Sequence, residues 1–200
     1  GAGCDIFVAA EAYDWLDGNL ALLAAIKTGD PDWAISEGRL GNMCYYRPSV
    51  YAEVAADVVY FRDGDARNYT DFRLKHIATN DYIHVIGTHL TPGDTSADKA
   101  ARVFEGKLLG AYMAGLPASF IAGDINTYSL ASDDARYWLS AVGGVKGLQE
   151  RTTPSNGGLS STSGASNGQW IDDILSRDSQ PVTGAAMFST GGASAHWGWL

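Results

Sequence analysis

The spacing of hydrophobic positions changes period several times along the chain, and each change marks an element. "CDIFVAA" is a short apolar run of strand formers that ends at Glu11. In "YDWLDGNLALLAAIKTG", Leu16, Leu20 and Leu23 recur at helical spacing, with Lys27 one turn on, and Gly29 and Pro31 stop the pattern. "NMCYYR" and "VYAEVAADVVYF" read as strands, with Pro48 between them as a turn or edge marker. "NYTDFRLKHIAT" alternates apolar with polar and "DYIHVIGTHL" answers it, with Asn80-Asp81 between them as a hairpin signal. "TPGDTSADKAARVFEGKLLGAYMAG" opens on capping residues and carries Phe104, Leu108 and Ala111 on one helical face. "ASFIAGDINTY" predicts a buried strand running into a polar turn. "SDDARYWLSAVGG" predicts a helix with acids in its first turn and glycines after its last. A long Gly/Ser/Asn loop at residues 154–169 follows, of the kind that is often functional. "WIDDILSR", "AAMFST" and "HWGWL" close the chain as strands.

Strands outnumber helices, helices fall between strands, and no internal repeat shows. This predicts one α/β domain over residues 1–200, with mixed sheets. Two hundred residues, 46% of them apolar, suffice for one well-buried core without staples. No apolar run has the length of a membrane span, and no basic-then-apolar leader opens the sequence. The chain starts almost at once on a strand and stops within one, so a leader or a first strand is expected before Gly1. The Ser/Gly/Asn loop and the few lysines lean towards an exported bacterial protein. Cys4 and Cys44 each sit in an apolar run and read as buried thiols rather than a disulfide; two thiols do not fix a redox compartment.

Charge narrows the partners. Twenty-three acids against 14 bases give −9, which argues against a broad electrostatic grip on nucleic acid. A local basic groove would draw on Arg47, Arg62, Arg67, Arg73 and Lys75. For most of these, alternating charge on an exposed strand face is the stronger explanation.

Four places put polar groups where the pattern asks for apolar ones. In "FIAGDINTY", Asp124 and Asn126 are two apart at a strand's end and should point the same way. A carboxylate and a carboxamide together suit a phosphate with its divalent cation; a strand-ending turn suits them too. In "HVIGTHL", His89 ends an apolar strand, a place where a lone histidine is more often structural. In "WIDDILSR", Asp172 and Asp173 interrupt a strand that is apolar on both faces, so at least one is expected to be buried. A buried carboxylate is costly unless paired, and a histidine is a natural partner. Glu11 ends the first strand, where an acid before a helix is explained by the helix dipole alone.

Taken in order, the Glu, T-H-L, G-D-x-N, D-D-I-L and terminal "SAHWGWL" segments resemble the endonuclease/exonuclease/phosphatase superfamily, the deoxyribonuclease I-like fold. The resemblance spans nearly the whole chain, and "FIAGDIN" with "HVIGTHL" are its most specific parts. It implies a four-layer α/β/β/α sandwich and a phosphodiester hydrolase using Mg²⁺, or Mn²⁺ or Ca²⁺ in its place. By the resemblance, Glu11 is a metal ligand and His89 contacts the phosphate and serves as general acid. Asp124 and Asn126 position the nucleophile and hold the phosphate. Asp172 orients His196, the general base, and Arg67 matches a phosphate-contacting arginine on a looser alignment. The family's first strand, ending in asparagine, would precede Gly1. Its Ser-Asp-His stands here as Ser194-Ala195-His196, so Ala195 replaces a metal-binding aspartate and metal affinity and activity should be low. Deliberate inactivation to hold intact substrate explains the alanine; natural decay is the rival. The substrate ranking puts DNA or another nucleic acid first and a lipid head group, as in a sphingomyelinase, second. A catalytically silent binding module on the same fold comes third.

Overall fold

The structure is a computed structural model, and it describes residues 4–10, 18–38, 41–63, 66–127, 129–147, 172–177, 187–188 and 198–199. The chain divides into two compact units: residues 1–89 with 117–119, and residues 90–116 with 120–200.

The first unit holds β1 (Ile6–Ala9), α1 (Gly18–Gly29), β2 (Ala34–Glu37), β3 (Met43–Tyr46), β4 (Tyr51–Tyr60), β5 (Asn68–His76) and β6 (Tyr82–His89). β3 lies between β1 and β2, antiparallel to both. Trp33, Met43 and Tyr45 form the core here, with Leu22, Leu23 and Ile26 of α1 packed against them. The helix is where the spacing predicts it, but of the expected face only Leu23 packs on the core: Leu20 and Lys27 are exposed, and Leu16 lies outside the described residues. β4, β5 and β6 form an antiparallel meander, and β4 carries an irregularity between Glu53 and Ala55. Phe72, Leu74, Val85 and Ile86 on these strands are wholly buried. The β5–β6 connection turns at Asn80, whose φ of 62° is left-handed; asparagine tolerates that conformation well.

The second unit holds α2 (Ser96–Ala114), β7 (Ser119–Asp124), α3 (Ala135–Gly143), β8 (Val145–Gly147), β9 (Asp172–Arg177), β10 (Met187–Phe188) and β11 (Gly198–Trp199). β9 lies between β7 and β8, antiparallel to both, and β10 pairs with β11. Thr95 caps α2 in a reciprocal capping box with Asp98. Asp134 is the N-cap of α3, so the acids expected in that helix's first turn stand just before it.

The apolar face expected of α2 is not its buried face. Phe104 and Leu108 are 37% and 41% exposed. The helix instead buries Arg102, Glu105, Gly106, Leu109, Gly110 and Met113. Glycine makes this face work: a Cβ on Gly110 would lie 3.0 Å from the Trp138 carbonyl and 3.2 Å from the Gly143 nitrogen of α3. Helix axes that close leave no volume for larger side chains, so small residues replace apolar ones at the crossing. Among the described residues, no helix is long and apolar enough to cross a membrane.

Candidate functional site

The second unit contains the turn that carries the G-D-x-N motif, and each residue type in it has a local reason. Gly123 has φ 146°, a conformation that side chains rarely adopt. Asp124 ends β7 nearly buried, and its Oδ1 accepts the Asn126 backbone N–H at 2.8 Å. Ile125 is wholly buried and anchors the turn. Asn126 is left-handed at φ 54°, and its Nδ2 donates to the Leu90 carbonyl at 2.9 Å. The Leu90 N–H in turn donates to the Asp124 carbonyl at 3.0 Å. Asn126 therefore lies beyond the strand, not on a shared strand face with Asp124 as the alternation predicts. The two are joined by a turn in which one carboxylate oxygen is already used. The Asn126 carboxamide oxygen and its second N–H, beside the Asp124 carboxylate, are the groups this geometry could present to a ligand.

Asp172 faces Asp124 in the β7–β9 ladder, and Asp173 faces Gly123. Of the acidic pair in "WIDDIL", Asp173 is the one shown to be buried, and it pairs with an arginine; the histidine partner expected for Asp172 lies outside the described residues. Arg136 Nη1 meets Asp173 Oδ2 at 2.6 Å, with both side chains wholly buried. Arg136 Nε also donates to the Thr127 carbonyl at 2.6 Å. A second buried arginine, Arg102, donates from Nε to Asp134 Oδ1 at 2.7 Å and from Nη1 to the Thr91 and Gly93 carbonyls at 2.9 and 2.6 Å. Glu105 takes the Thr91 N–H at 2.9 Å and the Thr91 hydroxyl. The segments after Leu90 and after Asn126 are thus both pinned by buried arginines. Sequence reasoning missed both, because an arginine inside an amphipathic pattern reads as solvent-facing. The one available signal was the aspartate density of "SDDAR" and "IDDIL", which demands buried cations nearby.

In the first unit, His89 ends β6 and is 7% exposed. Arg67, just before β5, donates from Nη1 to the His89 backbone carbonyl at 3.5 Å. Thr88, on the opposite face of the strand, donates its hydroxyl to the Asn68 carbonyl at 3.3 Å. Two of the arginines considered for a basic groove are already neutralised. Arg47 is ringed by Asp30, Asp5 and Asp32 at 2.5, 3.2 and 3.8 Å and stacks over Trp33. Its hydrogen bond to Asp30 raises its own pKa; Asp30, held first by the Asp32 N–H and then by Arg47, lies below the usual carboxylate range. Arg73 is paired with Asp57. Cys4 and Cys44 are free thiols, and burial pushes the pKa of each up.

Glu11, Ala195, His196 and the loop at 154–169 lie outside the described residues, as does the side chain of Asp172. Among the described residues, no three His, Cys, Asp or Glu side chains gather into a cation cage. The oxygen donors of the 124–126 turn suit a hard cation or the phosphate it accompanies in type.

No protein-family model matches the chain, and no curated protein matches its sequence. Solved structures do. An endonuclease/exonuclease/phosphatase from Bacteroides vulgatus is 18% identical, with a TM-score of 0.70 over 92% of this chain and 77% of that one. D. rerio TDP2, complexed with single strand DNA product, is 16% identical, with a TM-score of 0.61 over 90% and 80%. Sphingomyelinase C from Streptomyces griseocarneus is 17% identical, with a TM-score of 0.64 over 98% and 85%. The chain has the α/β, deoxyribonuclease I-like fold of the endonuclease/exonuclease/phosphatase superfamily.

Proposed function

We propose that this chain hydrolyses phosphodiesters with the help of a divalent cation, Mg²⁺ in the first instance. The observation that carries the reading is the 124–126 turn. A left-handed asparagine is held at both its backbone N–H and its side-chain amide, next to a nearly buried carboxylate. Asparagine tolerates the left-handed backbone, so the mark of a site here is the number of tethers that fix a carboxamide beside a carboxylate, more than a plain strand-ending turn needs.

In this reading, Asn126 donates to a phosphoryl oxygen and Asp124 orients the attacking water. His196, oriented by Asp172, takes the proton from that water as its oxygen bonds to phosphorus. The bond from phosphorus to the leaving oxygen breaks, and His89 supplies that oxygen with a proton. Arg67, beside His89, adds positive charge against the phosphate. Glu11 would hold the cation, which when bound supplies charge against the developing negative oxygens. Ala195 offers no ligand where the superfamily has aspartate, so cation affinity and turnover are low in this sequence.

Nucleic acid is the first substrate class. The ion pairs at Arg47 and Arg73 reduce the positive charge available to a groove, which would then draw on Arg62, Arg67 and Lys75. A lipid head group is the second reading, favoured by the net charge of −9 and by a likeness to sphingomyelinase C that covers 98% of this chain. A zwitterionic head group is not repelled by an acidic protein. The test is a panel with the Ala195→Asp variant in Mg²⁺. Nicking of plasmid or trimming of single-stranded DNA supports the first reading, and release of phosphocholine from sphingomyelin supports the second. No hydrolysis of any of these at any divalent-ion concentration rejects both.

A further inference from the structure

The geometry assigns a positioning role to Arg136: we infer that this buried guanidinium fixes the orientation of Asn126 for turnover, an inference that rests on the phosphodiesterase reading above. Arg136 opens α3 and is wholly buried. Its Nη1 meets Asp173 and its Nε holds the Thr127 carbonyl, both at 2.6 Å. Thr127 follows Asn126 and Asp173 follows Asp172. One rigid planar group therefore ties the segment after Asn126 to the strand that carries Asp172.

Stability alone does not account for this arrangement. A buried ion pair is often no better than a well-packed apolar pair of the same volume, because both charges lose their water. An apolar pair, however, has no donor for the Thr127 carbonyl. Asparagine tolerates the left-handed backbone, so its own preference does not fix the position of Asn126; its tethers do. Here Asp124 Oδ1 holds its N–H, the Leu90 carbonyl holds its amide, and Arg136 holds the carbonyl of the next residue. Arginine suits the task because its fork reaches two acceptors at fixed angles and never loses its charge. β8 accommodates the pair with glycine: a Cβ on Gly147 would lie 2.8 Å from the Asp173 carboxyl carbon and 2.9 Å from Arg136 Nη1.

The test uses the full chain carrying Ala195→Asp, with and without the double change Arg136→Met and Asp173→Leu. The double change removes both charges together, so neither is left buried alone. Two quantities are read: the exchange rate and chemical shift of the Asn126 backbone and side-chain amides, and kcat with KM on a soluble phosphodiester. The inference expects a folded double variant whose Asn126 amides shift and exchange faster. It also expects kcat to fall about 100-fold, as small misplacements at a reacting centre do, with KM within about threefold. Arg136→Lys keeps the charge but cannot span both acceptors, and falls between. Unchanged Asn126 signals overturn the inference, as does an unchanged kcat or a loss confined to KM. If the Ala195→Asp chain hydrolyses nothing, the phosphodiesterase reading fails, and the Asn126 amides alone decide whether Arg136 sets that residue. If the double variant does not fold, Arg136→Lys decides by the same measurements.

Discussion

Asp134 joins α2 to α3 twice, and replacing it by alanine should destabilise the protein well beyond an ordinary cap deletion. Its Oδ1 accepts the Ala135 N–H at 2.8 Å as the cap of α3, and both its oxygens take Arg102, at 2.7 and 3.0 Å. Both side chains are nearly fully buried. Loss of the cap costs about 1 kcal/mol. Loss of the buried partner strands a guanidinium, at about 3–5 kcal/mol. The Thr91 and Gly93 carbonyls still hold Arg102 and offset part of this, so the total is about 4 kcal/mol. At roughly 2–4 °C per kcal/mol for a chain of this size, Tm should fall by about 10 °C.

Urea and thermal unfolding of Asp134→Ala, Arg102→Met and the double variant measure the effect. The double variant should recover about 2 kcal/mol against the sum of the singles, since no lone charge remains. A single variant within about 1 kcal/mol of the parent, or additive singles, would refute the reasoning. A pH series adds an independent check. Burial pushes the Asp134 carboxyl up, but Arg102, the Ala135 N–H and Thr127 outweigh it and hold the pKa below its ordinary 3.8. A carboxylate lowered in the folded state contributes its full stability above the ordinary value and loses it as pH falls through the lowered one. The gap between parent and Asp134→Ala should therefore be flat near neutrality and close below about pH 4.

Other sites make narrower predictions. Gly147→Ala places a methyl group against the Asp173 carboxylate and should cost about 3 kcal/mol in urea unfolding; under about 0.5 kcal/mol would mean that the ion pair moves aside freely. Thr95→Ala removes the hydroxyl that accepts the Asp98 N–H at 3.2 Å and should cost about 1 kcal/mol, visible as a lower urea midpoint at unchanged slope. At Asn80, glycine should be tolerated within about 0.5 kcal/mol while valine costs about 1–2, because the backbone there is left-handed; equal effects would contradict that backbone.

Local pattern made most elements readable. β4, β5 and β6 alternate or run apolar over eight residues or more, and Asn80 marks the turn between the last two. β2 and β8 gave no usable signal, because four residues after Pro31 and the three-residue Val-Lys-Gly are too short to show a period. The face of α2 was misread for a different reason. Its buried side sets an arginine, a glutamate and two glycines beside Leu109 and Met113, and the partners of the polar and small residues are Asp134, α3 and the 90–95 segment. No window of sequence contains those partners. The same holds for Asp173: that one aspartate of the pair must be buried was readable, but its partner lies thirty-seven residues back. In the G-D-x-N segment the residue types were readable and their geometry was not, since alternation ends where Asn126 turns left-handed.

The central claim is that the 124–126 turn serves a cation-dependent phosphodiesterase, and it is tested most directly by one comparison. Hydrolysis of a simple phosphodiester is measured for Ala195→Asp, and for Ala195→Asp with Asn126→Ala, across a Mg²⁺ titration and after chelation. The account predicts turnover by the first variant that saturates with Mg²⁺, disappears with chelator, and falls about 100-fold in the second. Turnover that ignores the chelator or survives the loss of Asn126, or no turnover at all, would contradict it.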